Sequence, residues 1–340
     1  MSRLTLYFFL ALVMTGLSAC SQPPDCSRVD IFCAGLVTTT EGLNDHAFNQ
    51  IVWDELQIAR AADWVDEIAF IETTASPDYS KNIDVFALDG YDLIITVGMG
   101  LRDETLQAAD RYPDTFFIGV DQAGGESHPN LLVVTFPEDQ AGFLAGVLAA
   151  RMTQSGHVGA VCETSGIESN WKTCEGFRNG VAYIDPKIQT DVHYRSGGSR
   201  EKLFVDTAWG QETGQKLISG GADVIFGVGG GTGQGALLTA AEAGIYAIGA
   251  ERDQFYALPE ARPVLLTSIV KQPSPRVQRL IRSVRLGEAK GGVYPGRLWL
   301  APYRNSTITI PVEIQEEMKT ILQALESGNL RTNVPVEFPK

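Results

Sequence analysis

The chain has 340 residues, with 41 acidic against 27 basic side chains and a formal charge of −14. That balance argues against nucleic acid or an anionic membrane face as a partner. The length exceeds what one hydrophobic core usually organises, so two lobes are expected.

Met1–Cys20 reads as an export signal. Arg3 gives the positive start, Leu4–Leu17 is an apolar stretch too short to span a bilayer comfortably, and Leu17-Ser18-Ala19-Cys20 looks like a bacterial lipobox. Residues 1–19 are therefore the expected signal peptide, Cys20 the lipidated new N-terminus, and 20–28 a tether. Two or three acyl chains would anchor the body more firmly than one. Of the five cysteines, Cys26, Cys33, Cys162 and Cys174 remain, an even number in an exported chain. Proximity favours Cys26–Cys33 and Cys162–Cys174, although Cys26 must then fold back over a strand, and four free thiols stay open. No metal site is expected, because the spacings do not suit zinc and the four histidines are scattered.

Strand and helix signals then alternate. An apolar run over 31–37 precedes a polar loop and a helix over 47–62, with Asn44 or Asp45 as its cap. Strands are expected at 68–71, 92–97, 115–120 and 131–136, interleaved with helices at 78–88 and 102–111. Helix 138–153 comes after them, with the pattern restarting near residue 130, and a second series then begins: strand 157–162, helix 170–183, strand 190–194, helix 203–219, strand 223–228, helix 234–243, strand 246–249. Strand 264–270, helix 275–286, a strand pair within 293–310 and a helix at 312–326 close it. Repeated βαβα implies parallel sheets covered on both faces. The fold class is α/β, two doubly wound lobes with a ligand cleft between them. Lobe 1 is expected over 29–121 plus 270–290 and lobe 2 over 122–269 plus 291–340, with crossings near Gln122, Lys271 and Gly291.

Ligands of open α/β sheets lie at the carboxyl ends of the strands. The loop after the first strand, Gly35 to Gln50, sits at such an end. Phe48 beside Asn49 would suit a planar, hydrogen-bonding ligand; Phe48 as core and Asn49 as solvated surface is the equal alternative. The glycine-rich Gly227–Gly235 follows a strand and opens a helix. Gly231-x-Gly233-x-x-Ala236, with Glu251 some twenty residues on, matches the dinucleotide fingerprint, so an NAD-binding enzyme is one reading. Its position deep in the second half, the export signal and the lack of a catalytic His or Lys grouping count against it. No GxSxG or HExxH motif appears either. No enzyme and no cofactor are expected.

The run Thr39-x-x-Gly42-x-Asn44-Asp45-x-x-Phe48-Asn49-Gln50 resembles the signature of the basic membrane protein family, the purine-nucleoside-binding lipoproteins that serve ABC importers. Further look-alikes spread over nearly all of the mature chain: NLLVVTFPEDQAGFLAGVLAA (130–150), FGVGGGTGQG (226–235), YAIGAERDQ (246–254) and LTSIVKQ (266–272). The resemblance implies a type I periplasmic binding protein fold. It also implies a nucleoside ligand, an ABC permease and ATPase as partners, and a monomer held to the membrane by its lipid.

Residue by residue, the resemblance puts Phe48 and Phe204 on the two faces of a base, Asn49 and Asp121 near its edge, and Gly229 and Gly230 as bare backbone against the ligand. Glu251, where the family has Asp, and Lys271 hold the sugar. Phe204 is otherwise a helix core residue, with Trp171 and Trp209 as alternative platforms. Thr39 stands where the family carries a base-binding Asp. One hydroxyl in place of a carboxylate forfeits roughly 1.5–3 kcal/mol toward a paired donor edge, which disfavours guanine. A ligand-sensing lipoprotein without transport would use the same fold and site.

Overall fold

The computed structural model describes residues 25–124, 128–197, 202–304 and 307–337; the expected signal peptide and Cys20 lie outside the described residues. The first half runs β1 (Cys33–Val37), α1 (Phe48–Ala61), β2 (Glu67–Ile71), α2 (Tyr79–Leu88), β3 (Leu93–Val97), α3 (Arg102–Arg111), β4 (Phe116–Val120) and β5 (Leu131–Thr135). The second begins with α4 (Glu138–Met152), β6 (His157–Cys162), α5 (Glu168–Ile184), β7 (Gln189–Tyr194) and α6 (Thr207–Ser219). It continues with β8 (Val224–Gly227), α7 (Gly230–Ala243), β9 (Tyr246–Glu251), the short α8 (Gln254–Ala257) and β10 (Leu265–Gln272). The chain ends with α9 (Arg276–Arg285), β11 (Gly292–Pro295), β12 (Arg297–Leu300) and α10 (Val312–Glu326).

These strands form two six-stranded sheets, ordered β11-β5-β4-β3-β1-β2 and β12-β10-β9-β8-β6-β7. Every residue of β1 and β3 is buried, as a parallel strand covered on both faces requires. Neighbouring residues point to opposite sides. Leu36 joins Val52, Leu56 and Ile281 under α1 and α9, whereas Val37 joins Ile83, Phe86 and Leu101 under α2 and α3. In the second lobe, Phe177, Phe226 and Met318 fill one side and Leu217, Ile225 and Leu237 the other.

The chain leaves the first lobe between Thr135 and Glu138, returns between Gln272 and Arg276, and crosses again at Gly296. Two of the expected crossings are therefore misplaced. Near Gln122 the chain does not cross: Asp121, with φ +58, turns it back, and β5 pairs with β4 in the first sheet. The Asn130 amide secures that return by donating to the carbonyls of Ala109, Tyr112 and Thr115. Near Gly291 there is no crossing either, because β11 pairs with β5. The expected strand pair is divided between the sheets. A chain that runs up β11 beside β5 and continues through the hinge must run down the second sheet, so β12 is antiparallel to β10.

Disulfides join Cys26 to Cys33 and Cys162 to Cys174. The fold-back that the first needs is made by a turn in which Arg28 N donates to Asp25 O and Ile31 N to Arg28 O.

Candidate ligand-binding cleft

The carboxyl ends of both sheets face each other, and polar bonds cross between them. Lys271, ending β10, holds Asp121, ending β4, at 3.1 Å. Arg252, following β9, reaches the first-lobe loop with Nη1 3.0 Å from Asp45 O and Nη2 2.7 Å from Glu41 Oε2. The outer rim is a groove of about 180 Å³ between His46, Gln50 and Asp54 of the first lobe and Asp253 and Tyr256 of the second.

On the first-lobe side the loop after β1 is closed on itself. The Asp45 carboxylate accepts from the backbone N–H groups of Ala47, Asn49 and Gln50, so it satisfies the free donors at the start of α1. Asn49 is fully buried and its amide is spent on the same loop: Oδ1 accepts from Thr39 N, and Nδ2 donates to Thr39 Oγ1 and Gly42 O. In this structure Asn49 fastens the loop and presents no free hydrogen-bonding group to the cleft. Thr39 is half-exposed at the end of the buried β1, with its methyl against the space beside Gly98. Phe48 is half-buried; one ring face stacks on Phe136 at 5.5 Å and 14°, where the chain leaves the first lobe. It is thus neither plain core nor a free platform.

The second-lobe side rests on buried charge. Glu163, fully buried after β6, is ion-paired with Arg195 Nε. Its carboxylate also accepts from Thr232 Oγ1 at 2.6 Å, Thr164 N at 3.1 Å and Phe204 N at 2.9 Å. Phe204 has φ +66, and its carbonyl accepts from Gly231 N at 2.6 Å. A bulky residue adopts that backbone only when its surroundings impose it, and here the carboxylate and the glycine turn do so. The Phe204 ring belongs to none of the apolar clusters among the described residues. The expected helix over 203–219 accordingly starts four residues late, at Thr207.

Gly229 and Gly230 have φ +92 and +58, and a Cβ on either would strike Glu163 or Phe204. Both are thus bare by necessity. Gly230 N donates to Glu251 Oε2 at 3.3 Å, which places the sugar-binding candidate directly beside the turn. The dinucleotide-like glycines have packing reasons of their own. Gly233 lies against the Gly227–Val228 backbone, and Gly231 against Phe204 and Val205. Trp209, an alternative platform, packs on the second-lobe core.

Between the lobes, Lys271 is 6 % exposed and bridges Asp121 and Glu138, the latter at 2.9 Å. Burial alone would lower its pKa, but Asp121, Glu138 and Glu251 outweigh that and hold it above the ordinary lysine value. Burial pushes the Glu138 carboxyl up to about 8, against the pull of Lys271 and with a push from Asp121. Arg252 is likewise kept charged: burial opposes the charge, while Glu41, Glu251 and Asp45 support it. Glu138, Glu163, Arg195 and Arg252 were not singled out from the sequence. Glu138 lies in the 130–150 look-alike and Arg252 in the 246–254 one, but neither stretch marked them out; Glu163 and Arg195 carry no local motif.

Two doubly wound lobes around a cleft lined by strand ends define the type I periplasmic binding protein fold. The chain superposes on an ABC transporter system solute-binding protein from Aeropyrum pernix with a TM-score of 0.72 at 20% identity, covering 90% of this chain and 94% of that one. It superposes on another from Conexibacter woesei with a TM-score of 0.69 at 21% identity, over 91% and 100%. Residues 34–293 match the family described as ABC transporter substrate-binding protein PnrA-like, and the chain belongs to that family, Bmp. A CD4+ T-cell-stimulating antigen of Listeria monocytogenes is 27% identical over 86% of this chain and 87% of its own. The ABC transporter nucleoside-binding protein BmpA of Lactococcus lactis is 28% identical over 66% and 64%.

Proposed function

We propose that the cleft binds a nucleoside, adenosine or inosine before guanosine, and that the protein delivers it to a membrane permease while tethered through a lipid on Cys20. The observation that carries this reading is the charge of the cleft floor. The carboxylates of Asp121 and Glu251, with the proton-retaining Glu138 beside them, surround the single ammonium of Lys271. Such a floor accepts hydrogen bonds from sugar hydroxyls and disfavours a phosphate, so a neutral nucleoside fits and a nucleotide does not. Phe48 and Phe204, one from each lobe, supply flat apolar faces for the base, and Thr39 supplies one hydroxyl at its edge. The Lactococcus relative's name supports the same class. The partners on this reading are an ABC permease and ATPase, and the binding protein acts as a monomer.

Denaturing the purified protein and identifying what it releases tests the proposal, followed by calorimetry with adenosine, inosine and guanosine. We expect a nucleoside to be released, and guanosine to bind weakest. Release of NAD(H) would overturn the reading in favour of the dinucleotide one.

A further inference from the structure

At the first turn of α5 the side chain of Asn170 is 3 % exposed, and its buried Nδ2 has no hydrogen-bond partner. Buried donors of this kind are rare in folded proteins and ask for an explanation. The packing of α5 on α4 says where the amide stands. The two helices touch backbone to backbone: a Cβ on Gly142 would meet Thr173 O, and one on Gly146 would meet Phe177 O. Four residues along one helix match four along the other, so the helices run parallel and in step. One turn before Thr173, Asn170 stands at or just before the start of α4, a turn short of Glu138 on the side where the chain enters from the first lobe. Thr173 fixes the register, with Oγ1 3.4 Å from Glu138 Oε2, while Glu138 Oε1 meets Lys271 Nζ. The Cys162–Cys174 disulfide spans the intervening loop and ties this turn to the cleft end of β6.

Hydrogen-bond supply in this corner is unbalanced. Asp121 and Glu251 can accept, whereas Lys271 already spends two of its three donors on Asp121 and Glu138. A bound molecule with more than one acceptor atom therefore needs a further donor. We infer that Asn170 is a ligand-contacting residue, its side-chain amide donating to a ring nitrogen or an oxygen of the bound small molecule. The inference rests on the nucleoside reading for the choice of probe.

The test compares Asn170→Ala and Asn170→Leu with the wild type, using adenosine and inosine as probes in calorimetry and melting the ligand-free proteins separately. With the unpaired donor gone, both ligand-free variants should melt at or above the wild-type temperature. Affinity should fall tenfold or more. A ligand-free melting temperature several degrees lower in both variants, or unchanged affinity, would overturn the assignment. If the wild type binds neither probe, the nucleoside reading falls, and the readout becomes the small molecule that copurifies with the protein. Its loss from Asn170→Leu alone then supports the contact, and equal loading of both proteins rejects it.

Discussion

Phe48 and Phe204, one from each lobe, are held by opposite means. Phe48 is fixed by packing: its ring stacks on Phe136 and its neighbours belong to the first-lobe core. Phe204 is fixed through its backbone, forced to φ +66 by the Glu163 carboxylate and the glycine turn, while its ring joins no core cluster among the described residues. On the nucleoside reading proposed above, stability and binding would be coupled on the first-lobe side and separable on the second. The charges beneath Phe204 carry the stability that its own ring does not.

The largest effect should come from the charges under Phe204. Arg195→Ala would leave Glu163 fully buried without its ion-pair partner, and breaking a buried pair from one side costs about 3–5 kcal/mol. Urea unfolding should show that loss. A cost below about 1 kcal/mol would mean that the second lobe does not rest on this pair.

The two aromatics come next. Phe204→Gly should weaken ligand binding about ten- to a hundredfold while leaving stability equal or higher, because glycine accepts the left-handed backbone without strain. Phe48→Ala should lose binding by a similar factor and also stability, by about 1–3 kcal/mol, less than a fully buried Phe. Affinity and melting temperature on the same two variants decide this. Equal stability losses would erase the contrast.

The smallest effect is a pH slope. The Glu138 carboxyl, raised to about 8 in the folded protein, keeps its proton through a range where the unfolded chain, near the ordinary glutamate value of 4.5, has released it. The native state then binds more protons than the unfolded one, so this group's contribution makes stability fall as pH rises from about 4.5 to about 8. In Glu138→Gln that part of the slope should vanish. An unchanged profile of melting temperature against pH would show that Glu138 does not retain its proton.

Much of the site was legible as types of residue in types of loop. The loop after β1 and the glycine turn before α7 both stood out, because turns and strand ends draw on few residue types. Their partners did not. Asn49 neighbours Phe48 in sequence, but successive residues on a helix point about 100° apart, and here Asn49 turns inward to Thr39 and Gly42. Glu163 and Arg195, separated by 32 positions, meet only because β6 and β7 pair in register. The crossings near Gln122 and Gly291 were misplaced for a related reason: a strand's apolar pattern says that it is buried, not in which sheet.

The sequence by itself determined the alternating elements, the two-lobed α/β class and the family, since periodicity, turn chemistry and loop motifs act over a few neighbouring residues. Tertiary structure alone decided which sheet takes β5, β11 and β12, and it closed Arg252 onto Glu41 and Asp45 across the cleft. It also set Lys271 between Asp121 and Glu138, and left the Asn170 amide without a partner. Those outcomes depend on burial, and on charges brought within 3–4 Å from distant parts of the chain. Both are properties of the assembled lobes and of no single segment.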